Sequence, residues 1–60
     1  MKRYKLYDVY ECKELLVKTD CIDEVVKACI ERDKDTDGEF EPVLYEFDGD
    51  KYVRTEDWSW

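Results

Sequence analysis

Sixty residues give room for one hydrophobic core, so we expect residues 1–60 to form a single domain without a buried cavity of substrate size. The 17 acidic and 10 basic side chains leave a formal net charge of -7. Such a charge disfavours nucleic acid and anionic membrane surfaces as partners, and it favours cations and basic proteins. Aromatic residues make up 15% of the chain and recur within patterned segments, which is typical of a folded protein.

Hydropathy and cysteine content bear on the location of the chain. No apolar run approaches the roughly 18 residues of a membrane span, and the first residues lack the apolar stretch of a signal peptide. The spacing of Cys12, Cys21 and Cys29 fits neither a zinc knuckle nor a redox motif, which favours free thiols in a reducing compartment. We therefore expect a cytoplasmic protein without a membrane partner.

Two strand segments open the chain. Residues 3–10 are rich in aromatic and β-branched side chains and contain neither glycine nor proline, and residues 15–19 favour a second strand. The polar link at residues 11–14 has hairpin length but lacks the Asn-Gly or Asp-Gly pair that fixes a turn type. The register stays open between two alignments. A three-residue loop places on one face Tyr7, Val9, Leu15 and Val17; a two-residue loop places there Leu6, Tyr10, Leu15 and Val17.

A helix follows the first hairpin. Apolar side chains recur with the spacing that lines one side of an α-helix, at Ile22, Val25, Val26, Cys29 and Ile30. Asp20 is the expected N-cap, and the pattern is lost by Asp33 or Lys34. We expect Val26 and Ile30 to face the sheet.

The second hairpin carries the strongest turn signal in the chain. A strand begins at Pro42 and runs to residue 47. The pair Asp48-Gly49 then predicts a two-residue type I′ turn into a strand over residues 51–55. That turn predicts three cross-strand pairs, which are Glu46 with Lys51, Tyr45 with Tyr52, and Leu44 with Val53.

The predicted order is a ββαββ fold of the α+β class, in which two hairpins form one antiparallel sheet and the helix packs across one face. Residues 56–60 fall outside this pattern as an aromatic tail. The hairpin of Tyr7-Asp-Val-Tyr10 and Leu15-Leu-Val17, followed by the helix Ile22-Asp-Glu-Val-Val-Lys-Ala-Cys29, resembles short uncharacterised proteins encoded by Firmicutes genomes and their phages. This resemblance covers about the first half of the chain. It implies a bacterial or phage origin and transfers no functional residue.

The residue types present argue against an enzyme. The chain has no His, Asn or Gln and its only serine is Ser59, so Ser-His-Asp and Cys-His constellations cannot form within one chain. Its two glycines are too few for the phosphate-binding glycine loops. Cys21 lies where a helix N-terminus could activate a thiol, but it is surrounded by the negative charges of Asp20, Asp23 and Glu24. We expect no catalytic residue, no cofactor-binding residue and no cofactor.

One acidic segment, residues 33–41, resembles the first part of an EF-hand calcium loop. Leu44 occupies the place of the closing bidentate Glu, and Pro42 begins a strand where an EF-hand has its second helix. We therefore expect no stoichiometric metal site, with any calcium affinity on the order of millimolar, and the alternative is a solvated acidic loop. The candidate ligand and turn positions are Asp33, Asp35, Asp37, Gly38, Glu39, Phe40 and Glu41.

These observations favour a small, non-enzymatic, acidic protein that acts as a protein-binding or regulatory module. The alternative is a weak calcium-responsive module that uses residues 33–41. Trp58 and Trp60 are candidate contact residues, because tryptophan is enriched at binding hot spots. With Ser59 between them, an extended tail sends the two rings to opposite sides, which leaves one ring for a partner such as a second copy in a homodimer. In the competing interpretation both rings fold back over the core.

Overall fold

The computed structural model describes all 60 residues. The strands form one antiparallel sheet in the order β2-β1-β3-β4, and the helix packs against β1 and β2. The predicted ββαββ fold of the α+β class is confirmed. In chain order, the elements are β1 (Tyr4–Asp8), β2 (Glu14–Thr19), α1 (Ile22–Thr36), β3 (Pro42–Phe47) and β4 (Tyr52–Thr55).

The hydrophobic core lies between α1 and one face of the sheet. Leu6 of β1 and Leu44 of β3 are 0% and 1% exposed, and they pack with Val25 and Cys29 of α1. Side chains alternate across a strand, so the residues on either side of Leu6 and Leu44 lie on the opposite face. That opposite face has no helix packed on it.

The helix turns a different part of its apolar stripe inward than the sequence predicts. Val25 and Cys29 are buried, whereas Val26 is half-buried and Ile30 is 47% exposed. The predicted inward position is therefore wrong for Ile30, and Val26 is not among the side chains that pack against the core cluster. The apolar stripe is wider than the surface that β1 and β2 cover, so its far side is left open to solvent. The helix is neither long enough nor apolar enough to cross a membrane.

Both ends of α1 differ from their predicted positions. The N-cap is Cys21, which has no side-chain cap, and the carboxylate of Asp20 instead accepts a hydrogen bond from the backbone N–H of Arg3 at 2.8 Å. The helix continues to Thr36 and stops where Asp37 adopts the left-handed region at φ 56°. A residue in the left-handed conformation ends a helix, because its backbone N–H can then donate a hydrogen bond to one of the last carbonyl groups of the helix.

The first hairpin follows neither of the two alignments left open by the sequence. Leu6 pairs with Val17 but Tyr7 pairs with Leu15, because a β-bulge at Leu16 inserts one residue between them. Each alignment assumed an unbroken alternation along β2. The bulge switches that alternation, so Leu15 lies on the face of Tyr7 and Val17 lies on the face of Leu6.

The second hairpin is offset by two residues from its predicted register. Phe47 pairs with Tyr52 and Tyr45 pairs with Arg54, so the turn is longer than the two residues that the sequence indicates. The carboxylate of Asp48 accepts hydrogen bonds from the backbone N–H groups of the two residues that follow Gly49, both at 2.9 Å, and this favours the wider turn. An offset of two keeps every side chain on its predicted face.

Candidate functional site

The sheet face opposite α1 carries a cluster of aromatic and basic side chains. β1 and β3 are the two central strands, and their outward positions bring residues from both hairpins together. We call this surface the tyrosine face. Its aromatic and basic members are Tyr7, Tyr45, Phe47 and Tyr52 with Lys5, Lys13, Lys18 and Arg54.

Aromatic rings form the floor of the tyrosine face. The rings of Tyr7 and Tyr45 meet edge to face with their centroids 5.6 Å apart, and those of Phe47 and Tyr52 lie 5.3 Å apart. All four rings are half-buried although no helix covers them, because neighbouring side chains shield one another. Such aromatic pairs contribute about 0.5–1.5 kcal/mol beyond the area they bury. The floor is therefore a pre-ordered aromatic surface.

Lysine ammonium groups lie over these rings. Lys5 Nζ is 4.1 Å from the centroid of the Tyr52 ring, and Lys13 Nζ is 4.7 Å from that of Tyr7 and 5.3 Å from that of Tyr45. A cation over an aromatic face is attracted by the ring quadrupole, which holds a long and flexible side chain in place. Neither ammonium group forms an ion pair with a carboxylate. Both charges remain available to a ligand.

The tyrosine face carries positive charges, although the chain as a whole is acidic. The charged strand residues on this face are Lys5, Lys18 and Arg54, and no acidic residue of the four strands lies on it. Only Arg54 is partnered, by Glu56 at 4.0 Å, and both of those side chains are more than half exposed. An exposed pair of this kind contributes little energy. A chain of net charge -7 thus presents one surface that is locally basic.

A second polar feature, beside α1, is a structural ion pair. Asp8 Oδ1 accepts hydrogen bonds from the backbone N–H groups of Tyr10 and Glu41 at 3.0 and 3.2 Å, and Oδ2 accepts one from Arg32 Nε at 3.0 Å. Burial raises the pKa of Asp8, but these hydrogen bonds outweigh it, so its pKa lies below the ordinary 3.8. Arg32 also pairs with Glu14 at 3.2 Å. The network joins α1 and the start of β3 to β1.

An open, polar cleft lies over this network. Its volume is about 370 Å³, and its walls include the paired Arg32 and the exposed thiol of Cys12. The remaining thiols differ from one another: Cys21 is exposed, whereas burial raises the pKa of Cys29 to about 11. Cys29 therefore stays protonated and serves as a core side chain.

The calcium-like segment is helical over its first half. Asp33 and Asp35 belong to α1 and Asp37 caps it, while Gly38 follows at φ 88°. Residues two apart on a helix do not face each other, so the carboxylates of Asp33 and Asp35 diverge. No three His, Cys, Asp or Glu side chains are placed to hold a metal ion. The segment has the geometry of a helix end rather than that of an EF-hand loop.

The two tail tryptophans have different surroundings. Trp58 is half-buried and packs against the core cluster of Leu6 and Leu44. Trp60 meets Phe40 edge to face with the ring centroids 5.6 Å apart, yet it stays 46% exposed. The tail folds back over the side of the sheet that carries the helix, and Trp60 is the more exposed of the two rings.

Comparison of the chain with protein-family models, with curated proteins and with solved structures finds no match. The sequence predicted one aromatic cross-strand pair, Tyr45 with Tyr52, whereas Tyr52 pairs with Phe47, and it did not predict the grouping of these rings with lysines. Lys5 and Tyr7 are two residues apart in one strand, and Tyr45 and Phe47 are two residues apart in another. This spacing places the members of each pair on the same face of the sheet, which could have been read from the sequence. Lys13 gave no such signal, because it lies in the connection between β1 and β2.

Proposed function

We propose that the chain is a small, non-catalytic protein-binding module whose contact surface is the tyrosine face. The observation that carries this proposal is an open sheet face where half-buried tyrosine rings lie beneath lysine ammonium groups that have no carboxylate partner. The proposed setting is the cytoplasm, which three free cysteines support because thiols persist in reducing compartments.

The composition of this face supports a protein contact. Tyr and Arg are enriched at binding hot spots, and rigid aromatic rings supply contact area at little cost in side-chain entropy. The rings of Tyr7 and Tyr45 are already packed together, so a partner would not have to order them. A preformed surface loses less entropy on binding than one that must first be ordered.

The test is a capture experiment with a charge-matched control. The face variant Lys5→Glu/Lys13→Glu reverses two charges over the rings, and the control variant Lys27→Glu/Lys34→Glu reverses two charges on α1, away from the face. Tagged proteins are used to capture partners from a lysate, and thermal melts verify that both variants fold. We expect the wild type and the control to capture the same proteins and the face variant to lose them. Equal capture by both variants would overturn the proposal.

A further inference from the structure

We propose that the partner presents an extended acidic segment, with Asp or Glu at every second position, that lies across the tyrosine face. This inference rests on the proposed function and names the chemistry of the partner. In an extended segment, alternate side chains point to opposite sides, so carboxylates on one side can meet several cations together. The face offers four such cations, on Lys5, Lys13, Lys18 and Arg54.

The cations of the tyrosine face are complementary to a ligand that carries carboxylates. Lys5, Lys13 and Lys18 have no carboxylate within ion-pair distance, although the chain contains 17 acidic residues. The acidic side chains that could neutralise them lie elsewhere, for example on α1 and around the Asp8 network. Complementary potentials steer association and reject wrong partners. A carboxylate-bearing ligand would supply the negative charges that this face lacks.

The arrangement of the rings favours a peptide over a single-stranded nucleic acid. Stacked bases need open ring faces, and the ring faces of Tyr7 and Tyr52 are occupied by the ammonium groups of Lys13 and Lys5. Carboxylates can contact the ammonium groups from above while the cation–π contacts stay in place.

The experiment follows amide NMR spectra of the whole chain as probes are added. The first probe is a short synthetic peptide of alternating glutamate and leucine, and the second is the same peptide with every glutamate replaced by glutamine. The third is an oligothymidylate. We expect only the glutamate peptide to shift amides of the tyrosine face, with the shifts shrinking as salt rises.

Matched variants locate the contact. We expect Lys5→Gln/Lys13→Gln to weaken peptide binding roughly two- to thirtyfold, as expected for two lost surface ion pairs. The second variant, Lys18→Gln/Arg54→Gln, changes only exposed positions and should weaken binding in the same direction. The control Lys27→Gln/Lys34→Gln should bind as the wild type does. Equal weakening in the control would overturn the inference.

The remaining outcomes separate this inference from the proposed function. If no probe shifts the face while lysate capture still depends on Lys5 and Lys13, the acidic-segment inference fails and the protein-binding function stands. Oligothymidylate shifts on this face without peptide shifts would overturn both. A second copy of the chain could instead place its own acidic surface here, in a head-to-tail contact that grows into open assemblies. Light scattering that shows such growth, lost in the Lys5→Gln/Lys13→Gln variant, would replace the acidic segment with self-association.

Discussion

Truncating one side chain of the core and one of the helix surface tests where α1 meets the sheet. Val25 is 0% exposed and packs against Leu6 and Leu44, whereas Ile30 is 47% exposed. Val25→Ala removes two carbon atoms from a packed site, which costs about 1–3 kcal/mol of unfolding free energy. A core of this size supplies only about 3–5 kcal/mol in total, so the loss takes a large share of it. Ile30→Ala should change the same quantity by less than about 0.5 kcal/mol.

The assay is urea unfolding followed by far-ultraviolet circular dichroism, with a thermal melt in parallel. A loss of 1 kcal/mol lowers the melting temperature of a domain this small by about 4–8 °C, so Val25→Ala should melt at least several degrees below the wild type. The dependence of free energy on urea should stay the same for both variants if each keeps the fold. A loss for Ile30→Ala that equals that for Val25→Ala would refute the packing described for α1.

Three further predictions concern titratable groups and metal. Asp8→Asn should cost about 1–3 kcal/mol at neutral pH. Because the folded pKa of Asp8 is lowered, its stabilisation is present above the ordinary pKa of 3.8 and is lost as pH falls through the folded value. Urea unfolding at several pH values should therefore show a smaller acid loss in Asp8→Asn than in the wild type, since Asp48, whose pKa is also lowered, stays in both. A thiol reagent should label two cysteines at once and Cys29 only on unfolding, and rapid labelling of all three would contradict its burial. Calcium should cause no saturable amide shifts in residues 33–41 at sub-millimolar concentration.

The elements were predictable because local patterns and tertiary packing agree in them. Pro42 does begin a strand, and the apolar spacing from Ile22 does mark a helix. The rotation of α1 was not predictable to the same degree, since its apolar stripe includes more residues than the sheet covers. Which side of the stripe is buried depends on where α1 lies over the sheet, and no single helix position encodes that.

Register and the tyrosine face depended on contacts between distant segments. The sequence predicted regular pairing in both hairpins. The bulge at Leu16 changes the register of the first hairpin, and the turn that is hydrogen-bonded to Asp48 changes that of the second. The face itself arises only when β1 pairs with β3, which brings Tyr7 beside Tyr45 across 38 positions of sequence. The net charge gave no indication of this basic surface, because a total of -7 is a sum over the whole chain and does not show a local excess of cations.

Single substitutions in the tail separate core packing from partner contact. Trp58 packs against the core cluster, so Trp58→Ala should lower the melting temperature by several degrees, as loss of a half-buried ring does. Trp60 touches Phe40 and is 46% exposed, so Trp60→Ala should leave the melting temperature within a few degrees of the wild type. The homodimer predicted from the tail requires a concentration-dependent mass in light scattering that Trp60→Ala removes without unfolding the chain. A wild type that stays monomeric at every concentration would leave Trp60 without that role, and a large thermal loss for Trp60→Ala would place it with the core instead.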